Sequence, residues 1–370
     1  MIYLDQAATT MPKPPEVYRA VQHAMMSCAS VGRSGHAAAM NAGETVYNCR
    51  VLAGELFDAE PEQVAFTFNA THGLNMAIRT LIHPGDRVVI SGFEHNAVLR
   101  PLHQLEAEIC VAGRRLFDAK DTLEAFARCI TWDTKAVICT HVSNVFGYIL
   151  PITQIAELCR KRNVPQIVDA SQSAGVLPIS LRKTGASFIC APGHKALFGP
   201  QGTGLLLCGQ LPEPLLCGGT GSRSQSRDMP AFLPDRAEAG THNVPGIAGL
   251  MEGLQYIQAT GLDKIRAHEQ LLLKMLFHSL KGHREAELFY AGGDLQTGVM
   301  SLRIQGEDCE TTAERLAESG IAVRAGLHCA PLAHESANPL ETGTVRVSFS
   351  ALNTPEDVTR LAEILLSGQN

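Results

Sequence analysis

The feature that most constrains this chain is the alternation in its middle. Asp86–Ser91, Lys135–Thr140, Gln166–Asp169 and Gly204–Cys208 are short continuous apolar runs, the pattern of strands buried on both faces. Between them, Ile152 to Arg162 has helical spacing, with Ile152, Ile155, Ala156 and Cys159 on one face. Strands alternating with helices imply an α/β fold with a mostly parallel sheet covered on both sides. In such sheets, ligand-handling residues gather just beyond the C-terminal ends of the strands.

The rest of the chain reads differently. Ser222 to Gly246 is rich in Ser, Arg, Pro and Gly and is expected to be a long loop. Ile247, Leu250, Met251, Leu254 and Ile257 then mark one helix, and a longer one runs from Leu262 to about Leu280. The last part reads as a smaller α+β unit. Its final helix is expected to start with Thr354 as N-cap and Pro355 in the first turn, and to end at Gly368. At 370 residues the chain has room for two domains or one large one.

Composition excludes several classes. The net charge of −6 gives no basic footprint for nucleic acid. No apolar run approaches the ~18 residues of a membrane span, and the opening Met1-Ile2-Tyr3-Leu4-Asp5, without a basic start followed by an apolar stretch, is not expected to act as a signal peptide. Eleven cysteines without a CxxC pair predict a reducing cytoplasm, mostly buried thiols and no metal site. GxGxxG, GxxxxGK[ST], HExxH and GxSxG are all missing, so nothing supports a dinucleotide fold, a P-loop, a zincin or a hydrolase elbow.

Polar residues at strand ends carry the chemistry. Lys195 follows a strand expected over Ser187–Ala191 and precedes a Gly/Pro loop; it is either a solvated surface lysine or an amine placed for a Schiff base. Asp169 ends the strand Gln166–Asp169 one strand–helix–strand unit earlier. It is either a helix cap or the acid that keeps a pyridine nitrogen protonated. In Phe68-Asn69-Ala70-Thr71-His72, a strand runs into a helix start, which suits a phosphate as well as an ordinary threonine cap. His95, after the strand 86–91, is either structural or a stacking, proton-moving imidazole.

Together these residues resemble the class V aminotransferase superfamily, and within it the cysteine desulfurases and selenocysteine lyases. The likeness starts at Tyr3-Leu4-Asp5-Gln6-Ala7-Ala8-Thr9 and continues through Ala70-Thr71, Glu94-His95, Ser143-Asn144, Asp169–Gly175 and His194-Lys195. It ends with Gly240-Thr241-His242-Asn243, Arg324-Ala325-Gly326-Leu327-His328-Cys329-Ala330 and Val345-Arg346. It implies the pyridoxal-phosphate transferase fold of type I, with a mostly parallel mixed sheet. It also implies an N-terminal segment 1–15 packed on the small domain, a large cofactor-binding domain over 16–255, and a small domain over 256–370. The resemblance makes Lys195 the cofactor lysine, Asp169 the pyridine partner, and Gln172 and Asn144 neighbours of the ring oxygen. His95 becomes the stacking ring, and Ala70, Thr71 and His194 the phosphate grip. Thr241 becomes a phosphate ligand given to the neighbouring subunit of a homodimer. Arg346 becomes the clamp on the substrate carboxylate, alongside Asn144. Cys329 becomes the sulfur acceptor. Pro192 and Leu327 depart from the family pattern, where a Ser or Thr and a His are usual.

The reaction implied is removal of sulfur from L-cysteine, giving alanine and a persulfide on Cys329, with a sulfur-acceptor protein as a further partner. Selenocysteine lysis, another class V reaction with Cys329 structural, and a non-catalytic scaffold stand as alternatives.

Overall fold

The computed structural model describes residues 1–32, 34–337 and 342–367. Its main sheet has seven strands in the order Val64–Thr67, Gly204–Cys208, Phe188–Pro192, Gln166–Asp169, Thr134–Thr140, Arg87–Ser91 and Glu108–Ala112. The last five are mutually parallel. Gly204–Cys208 runs antiparallel to both neighbours, because the connection 193–203 holds no helix that could carry a parallel crossover. Every residue of Gln166–Asp169, Phe188–Pro192 and Gly204–Cys208 is buried. Covering on both faces accounts for their unbroken apolar runs. One cover includes Phe57, Phe126, Ile155 and Leu250, the other Leu74, Ile78 and Leu102.

A second, antiparallel sheet contains Arg324–Gly326, Thr344–Ser348, Val299–Ile304 and Ala286–Leu288 in that order. The helices Leu262–Leu280 and Pro355–Ser367 share its core. The start of the chain joins this unit: Ile2–Tyr3 pairs in parallel with Ile321–Ala322, and Leu4 is fully buried among Leu272, Leu302 and Val347.

The expected elements stand within a residue or two of the observed ones, with two adjustments. The helix after the long loop begins at Val244, where Asn243 caps it through its side chain. That helix continues to Thr260 and stops at Gly261, whose φ of 90° few other residues adopt. The boundary expected at 255/256 therefore falls inside it. Thr354 caps the last helix by accepting from the Asp357 N–H; Gly368 lies outside the described residues. No helix among the described residues is long and apolar enough to cross a membrane.

Candidate active site

The parallel strands deliver the polar residues to one edge. Asp169 is the last residue of its strand, 2% exposed, and its Oδ1 accepts the Ser171 N–H at 2.9 Å. No Lys, Arg or His lies within ion-pair distance of this carboxylate among the described residues. A buried carboxylate without a cation calls for a ligand that brings an N–H. Lys195 sits in the turn after Phe188–Pro192. Burial pulls its amine down to about 8, with Asp169 opposing and Arg346 and Arg324 assisting. The shift makes the neutral amine, the form a nucleophile or base must take, far more accessible than in an ordinary lysine.

His95 caps the helix Asn96–Gln104, its Nδ1 accepting the Ala97 N–H at 3.0 Å. That bond assigns the proton of the neutral ring to Nε2. Burial pushes its pKa down to about 4; Asp169 opposes this, and Lys195, Arg324 and Arg100 add to it. The ring is uncharged at neutral pH. Glu94, wholly buried beside it, accepts from the Thr140 N–H at 2.7 Å and from the Ser91 hydroxyl. It thereby ties the ends of two parallel strands under His95, and burial raises its carboxyl to about 8.

The helix Ala70–Leu81 starts at the same sheet, opposite the tight crossing of Gly204, where a Cβ would meet Thr67 and Asn69 within 3 Å. Its cap is Asn69, whose side chain accepts the His72 N–H at 2.9 Å. Of the two readings left open for Thr71, the ordinary threonine cap is thus not the one realised, and Thr71 is exposed. His194 is gripped by the N-terminal segment: its carbonyl accepts from Thr10 N–H, Thr9 Oγ1 and Lys13 Nζ, and its Nδ1 lies 3.1 Å from Thr9 Oγ1. Gln172 donates to the Ala7 carbonyl at 3.0 Å.

From the second sheet comes Arg346, 1% exposed. It donates from Nη1 to the Asn144 carbonyl at 3.1 Å and from Nη2 to Asp5 Oδ1 at 2.5 Å. The Asn144 side chain donates to the His328 carbonyl at 2.9 Å, and the Asn96 N–H donates to the Cys329 carbonyl at 2.8 Å. The loop carrying Cys329 is thus pinned to the residue following His95. His328 and Cys329 both have positive φ, 52° and 56°, a rare pairing for residues with side chains. The kink turns His328 inward to Thr344 and leaves Cys329 exposed. Arg324 Nη2 lies 3.9 Å from the Cys329 sulfur. Leu327 is exposed, and Pro192 ends its strand paired to Gly204.

Thr241 belongs to the long loop after the main sheet's last strand. It is exposed there, beside a cavity of about 150 Å³ that His72 and Thr203 also line. Glu238 anchors this loop by a two-pronged pairing to Arg50 and by a 2.6 Å contact with His242. Asp5 and Arg324 are among the site residues to which sequence reasoning gave no role. Both lie inside quoted motifs, but Asp5 meets its partner across 341 positions of chain.

The donor set fits pyridoxal phosphate. Asp169 can take a protonated ring nitrogen, Lys195 a carbonyl carbon, His95 a flat face, and the helix start at Ala70 an anion.

Comparison with known proteins agrees. The model of the class-V aminotransferase family matches residues 2–361. A probable cysteine desulfurase of Methanothermobacter thermautotrophicus is 31% identical, over 98% of this chain and 94% of its own. Another, from Pyrococcus abyssi, is 30% identical over 99% and 93%. Among solved structures, the apo cysteine desulfurase of Thermococcus onnurineus NA1 superposes with a TM-score of 0.89 at 28% identity, covering 99% of this chain and 94% of that one. The cysteine desulfurase CsdA of Escherichia coli, in its S-sulfonic acid form, gives 0.86 at 25% identity, over 98% and 93%.

Proposed function

The chain belongs to the class-V aminotransferase family, whose members depend on pyridoxal phosphate, and from that premise we propose that it is a cysteine desulfurase using Cys329 as acceptor. The observation that carries this reading is the Asn96–Cys329 hydrogen bond, which brings the exposed thiol's loop against the imidazole and amine edge.

Lys195, Asp169, His95, Gln172, Asn144, Ala70, Thr71 and His194 would hold the cofactor, with Thr241 of the partner subunit completing the phosphate grip in a homodimer. When bound, pyridoxal phosphate supplies an electron sink for a carbanion at the substrate α-carbon. Arg346 binds the substrate carboxylate, for which its forked donors are suited. Lys195 Nζ removes the α-proton, and its depressed pKa keeps it available as a base. His95 holds a proton at Nε2 and serves as the second proton carrier. The Cys329 thiolate attacks the substrate sulfur. The carbon–sulfur bond breaks toward carbon, leaving a persulfide on Cys329 and, after protonation, alanine. Arg324 is the charged group set beside that sulfur. The eleven free cysteines accord with a reducing, cytoplasmic setting.

Incubation with L-cysteine and a thiol reductant tests this. Equal amounts of alanine and sulfide are expected from the wild type, and no sulfide from Cys329→Ala. Undiminished sulfide from that variant removes the acceptor role. A panel including selenocysteine, cysteine sulfinate, and alanine with a keto acid separates lyase and transaminase activity from desulfuration.

A further inference from the structure

Arg346 poses an electrostatic problem. Its guanidinium is buried, and its cross-strand neighbour in register is Arg324. Like charges placed opposite one another in a sheet repel, and a buried cation without a partner is costly. The anion that offsets this comes from Asp5 in the N-terminal segment.

Asp5 is held where it is needed. It bridges in parallel to Ser348, two residues beyond Arg346 on the same strand. Around it, the Ser348 N–H donates to the Leu4 carbonyl at 2.8 Å and the Ala7 N–H to Ser348 Oγ at 2.9 Å. The Tyr3 hydroxyl donates to the Asp5 and Thr9 carbonyls at 3.2 and 3.0 Å. The backbone of residue 5 is therefore fixed on both sides, and its carboxylate meets Nη2 while the Asn144 carbonyl meets Nη1. These two acceptors hold one N–H on each terminal nitrogen. Among the described residues, the second N–H of each stays free, and so does Nε, which has no partner. Two N–H groups in one plane are what a carboxylate needs for a forked bond.

We propose that Asp5 is a positioning residue for substrate recognition: it sets the rotation of the Arg346 fork so that the unshared N–H groups face an amino-acid carboxylate. This rests on Arg346 being the carboxylate anchor. The rotation of the fork follows from an accepting oxygen at position 5, which asparagine keeps and alanine does not, while the charge that offsets Arg324 is lost in both.

The test uses the cofactor-loaded enzyme with Asp5→Ala, Asp5→Asn and Arg346→Lys. Two quantities are read: KM and kcat for L-cysteine, and the dissociation constant of L-alanine from a spectral titration. Asp5→Ala is expected to raise both KM and that dissociation constant ~10-fold, the loss falling on KM rather than kcat, and Asp5→Asn to recover most of it. Thermal unfolding of each variant checks that the fold is retained. The inference is overturned if Asp5→Ala binds L-alanine as tightly as the wild type, or if Asp5→Asn loses as much as Asp5→Ala. If Arg346→Lys also binds normally, the anchor reading fails with it. If Arg346→Lys is impaired and Asp5→Ala is not, only the role of Asp5 falls.

Discussion

The edge of the parallel sheet and the loop that bears Cys329 solve opposite problems. At the edge, Lys195 and His95 are tuned by burial. Both are pulled toward their neutral forms, to about 8 and about 4, within reach of the buried Asp169 charge. In the loop, two consecutive left-handed residues drive His328 into the core and push Cys329 out. An acceptor thiol must meet both a substrate and a recipient of its sulfur, so access matters more for it than seclusion. The other thiols show the contrast. Cys139, Cys190 and Cys208 lie in buried strands, where burial raises their pKa values far above that of a free thiol, and Cys159 is pushed up to about 12.

The largest expected effect tests the edge. Lys195→Ala should abolish turnover and the visible absorbance of the bound cofactor together; a yellow, active variant would break the assignment. Cys329→Ala comes next and should separate the two regions, retaining the absorbance while alanine and sulfide production from cysteine falls to background. His95→Gln should lower turnover by ~10²-fold, the usual scale for one acid–base group, with cofactor absorbance kept; a rate within a few-fold of wild type would remove the ring from proton transfer.

A stability effect follows from the lysine. Its folded pKa of about 8 lies below the ordinary 10.5, so between these values the unfolded chain binds more protons and stability rises with pH. The penalty is full below pH 8 and gone above about 10.5. Cofactor-free Lys195→Met should therefore be more stable than the wild type at pH 7, by up to ~3 kcal/mol before solvent screening. The gap should close as pH rises toward 10.5, as denaturant titrations would show; a gap independent of pH would contradict the burial argument. The smallest effect concerns labelling. Iodoacetamide on the folded protein should reach the exposed Cys329 and Cys217 first and spare Cys139 and Cys190, as peptide mass mapping would show.

Much of this was legible in the sequence. Asp169, Lys195 and His95 each follow a short apolar run, and a parallel sheet sends all such ends to one edge. Cys329 was singled out by its motif, and the expected inertness of Cys139, Cys190 and Cys208 follows from strand runs too apolar to face water. The choice of cap was left open, since Asn69 and Thr71 are equally good capping types and only backbone geometry chooses between them. Asp5 was quoted as part of a motif but left without a task.

The sequence by itself determined the order of strands and helices, the edge at which the chemistry gathers, and the residue types that fit pyridoxal phosphate, because periodicity and strand-end position are local properties. Only the tertiary structure decided that Arg346 is buried against Asp5, that Asn96 and Asn144 pin the loop of Cys329, and that Thr241 is exposed beside a cavity lined by His72 and Thr203. Those facts depend on contacts between segments far apart in the chain, where burial and charge, rather than local pattern, set which partner each group finds.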